Sequence, residues 1–104
     1  MSRYPWFPYE GGSTIGTEGT EDGGIIIQDD CYEIGARVIL EECPDSWWAV
    51  TCGIIDGFVL TSFARSLEEA QEMVRGMEEE LARLLDGWED GESIDIGATF
   101  DRFV

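Results

Sequence analysis

Carboxylates are the side chains of this protein with the clearest capacity for chemistry, because 23 of its 104 residues are Asp or Glu. Two pairs are adjacent in sequence, Asp29-Asp30 and Glu41-Glu42, and paired carboxyl groups can work as general acid and base. Neighbours on a strand point to opposite faces, so Glu41 and Glu42 do not face each other. Asp29 and Asp30 are predicted to lie in a turn, where Asp is common for conformational reasons. No catalytic carboxylate pair is therefore predicted.

Metal sites are not predicted either. The segment from Asp86 to Glu92 has some likeness to a calcium loop, but the alignment puts Trp88 where an oxygen ligand belongs and Gly97 where a bidentate Glu is required. The cysteines are odd in number and lack C-x-x-C spacing, which favours reduced structural residues over disulfides or a zinc site. They are Cys31, Cys43 and Cys52. We expect no cofactor.

The residue types that are missing exclude more classes of function. The chain has no His, no Lys and 6 Arg, and its formal net charge is −17. Ser-His-Asp and Cys-His pairs, Schiff-base lysines and P-loop lysines are therefore excluded. Binding to nucleic acid or to anionic membranes is not expected, because both need Lys or Arg to neutralise negative charge. A non-enzymatic protein is predicted, with an enzyme that uses carboxylates and Cys52 as the alternative.

The composition and the ends of the chain predict a folded cytoplasmic protein. Hydrophobic residues make up 43% of the sequence and aromatic residues 12%, well above a disordered composition. The first ten residues contain no apolar stretch of the kind found in signal peptides. The longest aliphatic run, Ile25 to Ile27, is far shorter than the ~20 residues of a membrane-spanning helix.

The pattern of residues predicts an N-terminal arm followed by one small domain. Residues 1–24 contain an aromatic, proline-broken segment and then a Gly-rich connector, so order is expected to begin near Ile25. Alternation with a period of two predicts strands at about 24–28, 36–42, 47–54 and 57–64. Turn signals lie between them, at 28–35, at 44–46 and at Asp56-Gly57. These short connections predict an antiparallel meander.

A long helix is predicted at about 66–86. Ser66 and Glu69 have the spacing of a capping box, and Gly87 is predicted to end the helix. Apolar residues follow at helical spacing: Leu67, Ala70, Val74, Met77, Leu81, Leu84 and Trp88. The tail, residues 92–104, is expected to add a short strand at 93–96. The predicted fold is α+β: a three- to four-stranded antiparallel meander with one long amphipathic helix on one face.

Both faces of the predicted sheet carry apolar residues, and one helix can cover only one of them. The other face must be covered by the arm, the tail or another subunit, because large exposed apolar patches are uncommon on monomers. We therefore expect a homodimer, with exchange of the arm as one route. The candidate self-association residues are Trp6, Phe7, Trp47 and Phe58.

The predicted helix carries a dense acidic face, for which two explanations compete. Glu68, Glu72 and Glu79 lie on its outer side and are the candidate residues for binding a basic protein partner, as in an inhibitor or immunity protein. The alternative is an accessory domain from a salt-adapted organism, whose acidity serves solubility alone. The absence of Lys from the whole chain favours solubility for most of the charge. The function expected is a small acidic protein that acts through protein contacts.

Overall fold

The computed structural model describes residues 3–19, 23–55 and 57–103. Within these residues five strands form one antiparallel sheet in the order β1-β2-β3-β4-β5. The elements are β1 (Trp6–Pro8), β2 (Ile25–Tyr32), β3 (Ala36–Glu42), β4 (Trp48–Ile54), β5 (Val59–Ala64), α1 (Leu67–Glu89) and α2 (Ile96–Phe100), with 3-10 turns at Tyr9–Gly12 and Asp101–Phe103. The predicted α+β class, a meander followed by one long helix, is confirmed, with five strands where three or four were expected.

The long helix α1 begins where the capping pattern predicts. The Ser66 hydroxyl accepts a hydrogen bond from the Glu69 backbone N–H at 3.1 Å. The end of the helix differs from the prediction, because Gly87 lies inside α1 and Asp90 is the C-cap. Gly91 follows with a φ of +83°, and the Glu92 N–H donates to the Gly87 carbonyl at 2.8 Å. This is a Schellman motif, in which the left-handed residue after the cap is the glycine.

The helix packs on one face of the sheet and forms the core. Of the described residues, fifteen make up the buried cluster: Tyr32, Ala36, Val38, Leu40, Val50, Cys52, Ala64, Ala70, Val74, Met77, Leu81, Ala82, Leu84, Leu85 and Phe100. The predicted stripe lies in it except at its ends, where Leu67 and Trp88 are 38% and 36% exposed. Among the described residues, no helix has the length and apolar character required to cross a bilayer.

The second strand is longer than predicted. The expected turn over 28–35 is wrong in its first half, because β2 continues to Tyr32 and pairs with β3 through Asp29↔Ile39 and Asp30↔Val38. The reversal is confined to the residues between Tyr32 and Ala36, where Gly35 has a φ of +122°. Asp29 and Asp30 are therefore strand residues that point to opposite faces.

The N-terminal arm belongs to the sheet. Residues 1, 2 and 20–22 of the predicted arm lie outside the described residues, but β1 pairs with β2 through Trp6↔Tyr32. The two rings of this pair stack with their centroids 4.9 Å apart. Arg3 anchors the arm to the end of α1, donating to Glu89 at 2.9 Å and to Asp90 at 2.5 Å. The expectation that order begins near Ile25 is therefore wrong.

The strand predicted at 93–96 is wrong, because residues 93–95 have no regular secondary structure and the short helix α2 begins at Ile96. Asp95 caps the short helix α2, because its Oδ1 accepts hydrogen bonds from the Gly97 and Ala98 backbone N–H groups at 2.9 and 3.4 Å. Phe100 of α2 is buried and its ring lies 5.1 Å from the ring of Phe58. The tail thus packs beside α1 and adds to the core instead of extending the sheet.

Candidate interaction surface

The face of the sheet opposite α1, here called the second face, is covered over its β2–β3 half by the chain from Tyr9 to Gly19. Asp29 is fully buried there and accepts two hydrogen bonds from the Arg37 guanidinium, at 2.8 and 2.6 Å. Tyr9 lies over that guanidinium, 3.6 Å from its centre. The Thr14 hydroxyl donates at 2.8 Å to Asp29 Oδ2, an oxygen that also accepts from Arg37. These contacts hold the N-terminal segment on the sheet.

The β4–β5 half of the second face lies outside this cover. Val59, Phe63 and Trp47 are 63%, 53% and 40% exposed, and we call these three residues the open patch. Trp47 and Phe63 line a shallow depression of about 480 Å³, together with Cys43, Pro44 and Asp45. Val59 lines a second depression of about 220 Å³ beside Ile39 and Thr51. Exposed apolar side chains grouped in this way mark interaction sites more often than single ones do.

The open patch lies beside a free edge of the sheet. β5 is the last strand in the order, so only one of its two sides pairs with β4. Among the described residues, the hydrogen bond that reaches β5 from outside the sheet is a side-chain contact, from the Ser62 hydroxyl to the Phe103 carbonyl. An unpaired strand edge presents rows of N–H and C=O groups that can pair with another chain.

The sequence around this edge is electrically neutral. The segment from Ser46 to Leu67 contains β4 and β5 and holds one acid, Asp56, and one base, Arg65, so its formal charge is −1 + 1 = 0. The entire net charge of −17 therefore resides in the rest of the chain. Sequence reasoning concentrated on the acidic helix and missed this neutral hairpin, although the scarcity of acids over 22 residues was a signal for it.

The predicted self-association residues lie in three different environments. Trp47 belongs to the open patch, whereas Phe7 is 42% exposed on β1, at the opposite edge of the sheet. Trp6 and Phe58 are partly buried against the core of their own chain. The structure therefore does not bring the four residues together in one surface.

The predicted partner-binding residues are all on the solvent side of α1. Glu68, Glu72 and Glu79 are exposed, and none of the three forms an ion pair with a described residue. Glu79 lines a depression at the end of α1 that also contains Arg3 and Arg83. The three carboxylates are therefore accessible to a partner, but two basic residues, Arg3 and Arg83, lie beside Glu79.

One carboxyl pair that the sequence did not predict lies between β2 and α1. Asp30 points to the helix side of the sheet and contacts Glu78 of α1, which is half-buried. Burial, and a hydrogen bond to Asp30, raise the pKa of Glu78 to about 9. Gln28 also donates to Asp30, from Nε2 to Oδ2 at 2.7 Å. Asp30 and Glu78 are 48 positions apart in the sequence, so their spacing gave no indication that the two carboxyl groups would meet.

Cys31 and Cys52 are free thiols. Cys52 is buried in the core, and desolvation raises the pKa of its thiol to about 12. Burial also raises the pKa of Cys31. Because the thiolate is the reactive form, both residues are poor nucleophiles at neutral pH. Among the described residues, no group of three or more Cys, Asp or Glu side chains has an arrangement that could hold a metal ion.

The fold and the surface together define a small α+β protein whose sheet has one face under a helix and the other only half covered. No protein-family model, curated protein or solved structure matches this chain. The interpretation of its surface therefore depends on its own residues.

Proposed function

We propose that this protein is non-enzymatic and acts through protein–protein contacts, with a second copy of itself as the partner at the open patch. The observation that carries the proposal is the combination of Val59, Phe63 and Trp47, all exposed and apolar, on a hairpin of zero formal charge. Two chains that each carry −17 repel one another at most approaches. At the neutral hairpin, burial of apolar residues between two chains is opposed by the weakest electrostatic repulsion.

Light scattering after size-exclusion chromatography tests this proposal. We expect a mass of twice the 11.6 kDa of one chain for the natural protein. Phe63→Glu should yield the single-chain mass, because it places a charge in the apolar contact. Phe7→Glu is the matched control, since Phe7 has comparable exposure but lies at the other edge of the sheet. A single-chain mass for the natural protein at millimolar concentration contradicts the proposal, as does dissociation by Phe7→Glu instead of Phe63→Glu.

A basic protein partner at the outer face of α1 is a second candidate, and the exposure of Glu68, Glu72 and Glu79 supports it. A hexa-arginine peptide serves as the probe in titration calorimetry at low salt. Replacing the three Glu residues by Gln should abolish a specific interaction, while replacing three acids elsewhere, Glu10, Glu18 and Glu33, should leave it intact. Equal weakening by both triple variants would show attraction to net charge alone and exclude this face as a site.

A further inference from the structure

The free edge of β5 determines how a second copy can bind. We infer that two chains join along their β5 edges in an antiparallel register centred on Thr61, so that the two sheets become one. This inference rests on the self-association proposed above and adds its geometry. It predicts which backbone groups pair, which side chains meet and which residue lies on the two-fold axis.

The hydrogen bonds of the β4–β5 hairpin show which backbone groups of β5 point outward. The Ile54 N–H donates to the Phe58 carbonyl at 3.0 Å, and the same register pairs Gly53 with Val59. In an antiparallel ladder the bonded and non-bonded pairs alternate. The even-numbered residues of β5 therefore bond to β4. The N–H and C=O groups of Val59, Thr61 and Phe63 point to the free edge.

The two edges of the sheet differ in how they are protected. β1 is three residues long, ends at Pro8 and follows Pro5 closely, and short strands and prolines are common devices against edge pairing. β5 is six residues long and contains neither Pro nor a charged residue. Its continuous edge is therefore suited to pairing, and the edge at β1 is not.

Symmetry then selects the register. A two-fold axis perpendicular to the sheet makes the paired strands antiparallel and keeps the same face of both sheets on the same side. Centring the axis on Thr61 places Thr61 opposite its own copy and Val59 opposite Phe63 of the second copy. All three outward-pointing residues of each strand are then paired, with two hydrogen bonds for each of three residue pairs. Sliding one strand along the other by one residue pairs outward groups with inward ones, and sliding it by two residues leaves an outward residue of β5 without an outward partner on the second β5 strand.

The side chains fit the same register. Val59 and Phe63 both lie on the second face, and the register makes them direct cross-strand neighbours, a type of pair that stabilises sheets. They are 63% and 53% exposed in the single chain, so both lose apolar surface to water when the strands pair. Thr61, whose hydroxyl lies 2.9 Å from that of Thr51, faces its own copy between them. One arrangement thus accounts for both the open backbone edge and the open patch.

Cysteine crosslinking tests the register. Cα atoms in a hydrogen-bonded antiparallel pair are about 5.5 Å apart, within disulfide range. Thr61→Cys should therefore form a disulfide between two copies on mild oxidation, identified by mass spectrometry as a 61–61 link. Thr17→Cys, at an exposed position on the covered half, is the matched control, and the natural chain controls for its own cysteines. We expect the 61–61 link and no 17–17 link.

Amide hydrogen exchange provides a second measurement that needs no substitution. Raising the protein concentration should slow exchange at the Val59, Thr61 and Phe63 amides, while the amides of Leu60 and Ser62, which already bond to β4, change little. A dimeric mass with neither the 61–61 link nor this pattern of protection would overturn the edge register while leaving self-association standing. A single-chain mass at all concentrations would instead refute the self-association on which the register depends.

Discussion

The carboxyl group of Glu78 on α1 meets the carboxylate of Asp30 on β2, so that a helix and a strand each contribute one acid to a shared contact. Gln28 also donates a hydrogen bond to Asp30, from Nε2 to Oδ2 at 2.7 Å. Burial of Glu78 and its contact with Asp30 both penalise ionisation of the Glu78 carboxyl group. Its pKa is about 9, against 4.5 for an ordinary Glu.

Replacing Glu78 by Gln should stabilise the protein in alkaline solution. The folded chain holds a proton that the unfolded chain has lost between pH 4.5 and about 9, so stability falls as the pH rises through this window. Gln retains a polar side chain without the ionisation. We expect a gain in free energy of unfolding of about 1 kcal/mol at pH 8, since water screens the partly exposed group.

Urea unfolding at a series of pH values measures this effect. The pH dependence between 5 and 9 should be flatter in Glu78→Gln than in the natural protein. Glu79→Gln is the control, because Glu79 is the exposed neighbour in sequence and should leave the slope unchanged. Equal slopes for all three proteins would show that the proton is not held between α1 and β2.

Asp29→Ala should be strongly destabilising. It removes the fully buried partner of Arg37 and leaves the guanidinium under Tyr9 without its counter-charge. Loss of one member of a buried pair costs about 3 kcal/mol. The exposed pair between Arg83 and Glu80 is the comparison, and Arg83→Ala should cost less than about 1 kcal/mol. Similar urea midpoints for the two variants would contradict the importance given to the buried pair.

Gly19→Ala should weaken the packing of the segment from Tyr9 to Gly19 on the second face. A Cβ at this position would overlap the carboxyl group of Glu41, which is fully buried beneath it. Overpacking of this kind costs about 1 to 3 kcal/mol. The expected result is a lower unfolding midpoint together with faster amide exchange at Gly16, whose N–H donates to the Ile26 carbonyl at 2.7 Å. Ser13→Ala, in the same segment but exposed, should change neither quantity.

Added salt should strengthen the proposed self-association and weaken the binding of a basic partner. Two copies of a chain with a net charge of −17 repel, and raising KCl from about 0.05 M to about 1 M shortens the screening length from over 10 Å to about 3 Å. We expect the dimer dissociation constant to fall by at least about tenfold, as measured by sedimentation equilibrium. Binding of the hexa-arginine peptide should weaken over the same range. A dimer that dissociates with added salt would contradict an apolar interface.

Local patterns predicted the parts of this fold that depend on neighbouring residues. The α1 stripe and the Ser66 cap are encoded within a few positions, and β3 consists largely of apolar strand formers. The turn predicted at Asp29 and Asp30 was wrong because Asp is common in turns, whereas both residues lie in β2. Their place in β2 depends on Arg37 across the sheet and Glu78 on the helix, which no short window contains.

The position of the open patch could be predicted from the distribution of charged residues in the sequence, but not from the pattern of apolar residues. Both faces of the predicted sheet carry apolar residues, so the sequence pattern could not tell which of these residues the N-terminal segment covers. That cover depends on contacts such as Tyr9 over Arg37 and Thr14 with Asp29, which join distant parts of the chain. The near absence of acids from Ser46 to Leu67, by contrast, is visible in the sequence alone.

In the proposed dimer, the prolines of the short β1 strand would also limit the size of the assembly. When two β5 strands pair, the outer strands of the combined sheet are two copies of β1, each bounded by Pro5 and Pro8. A third chain then meets only edges that resist strand addition. Growth of the proposed assembly would therefore stop at two chains, and pairing of the β5 edges would not lead to polymerisation into fibrils.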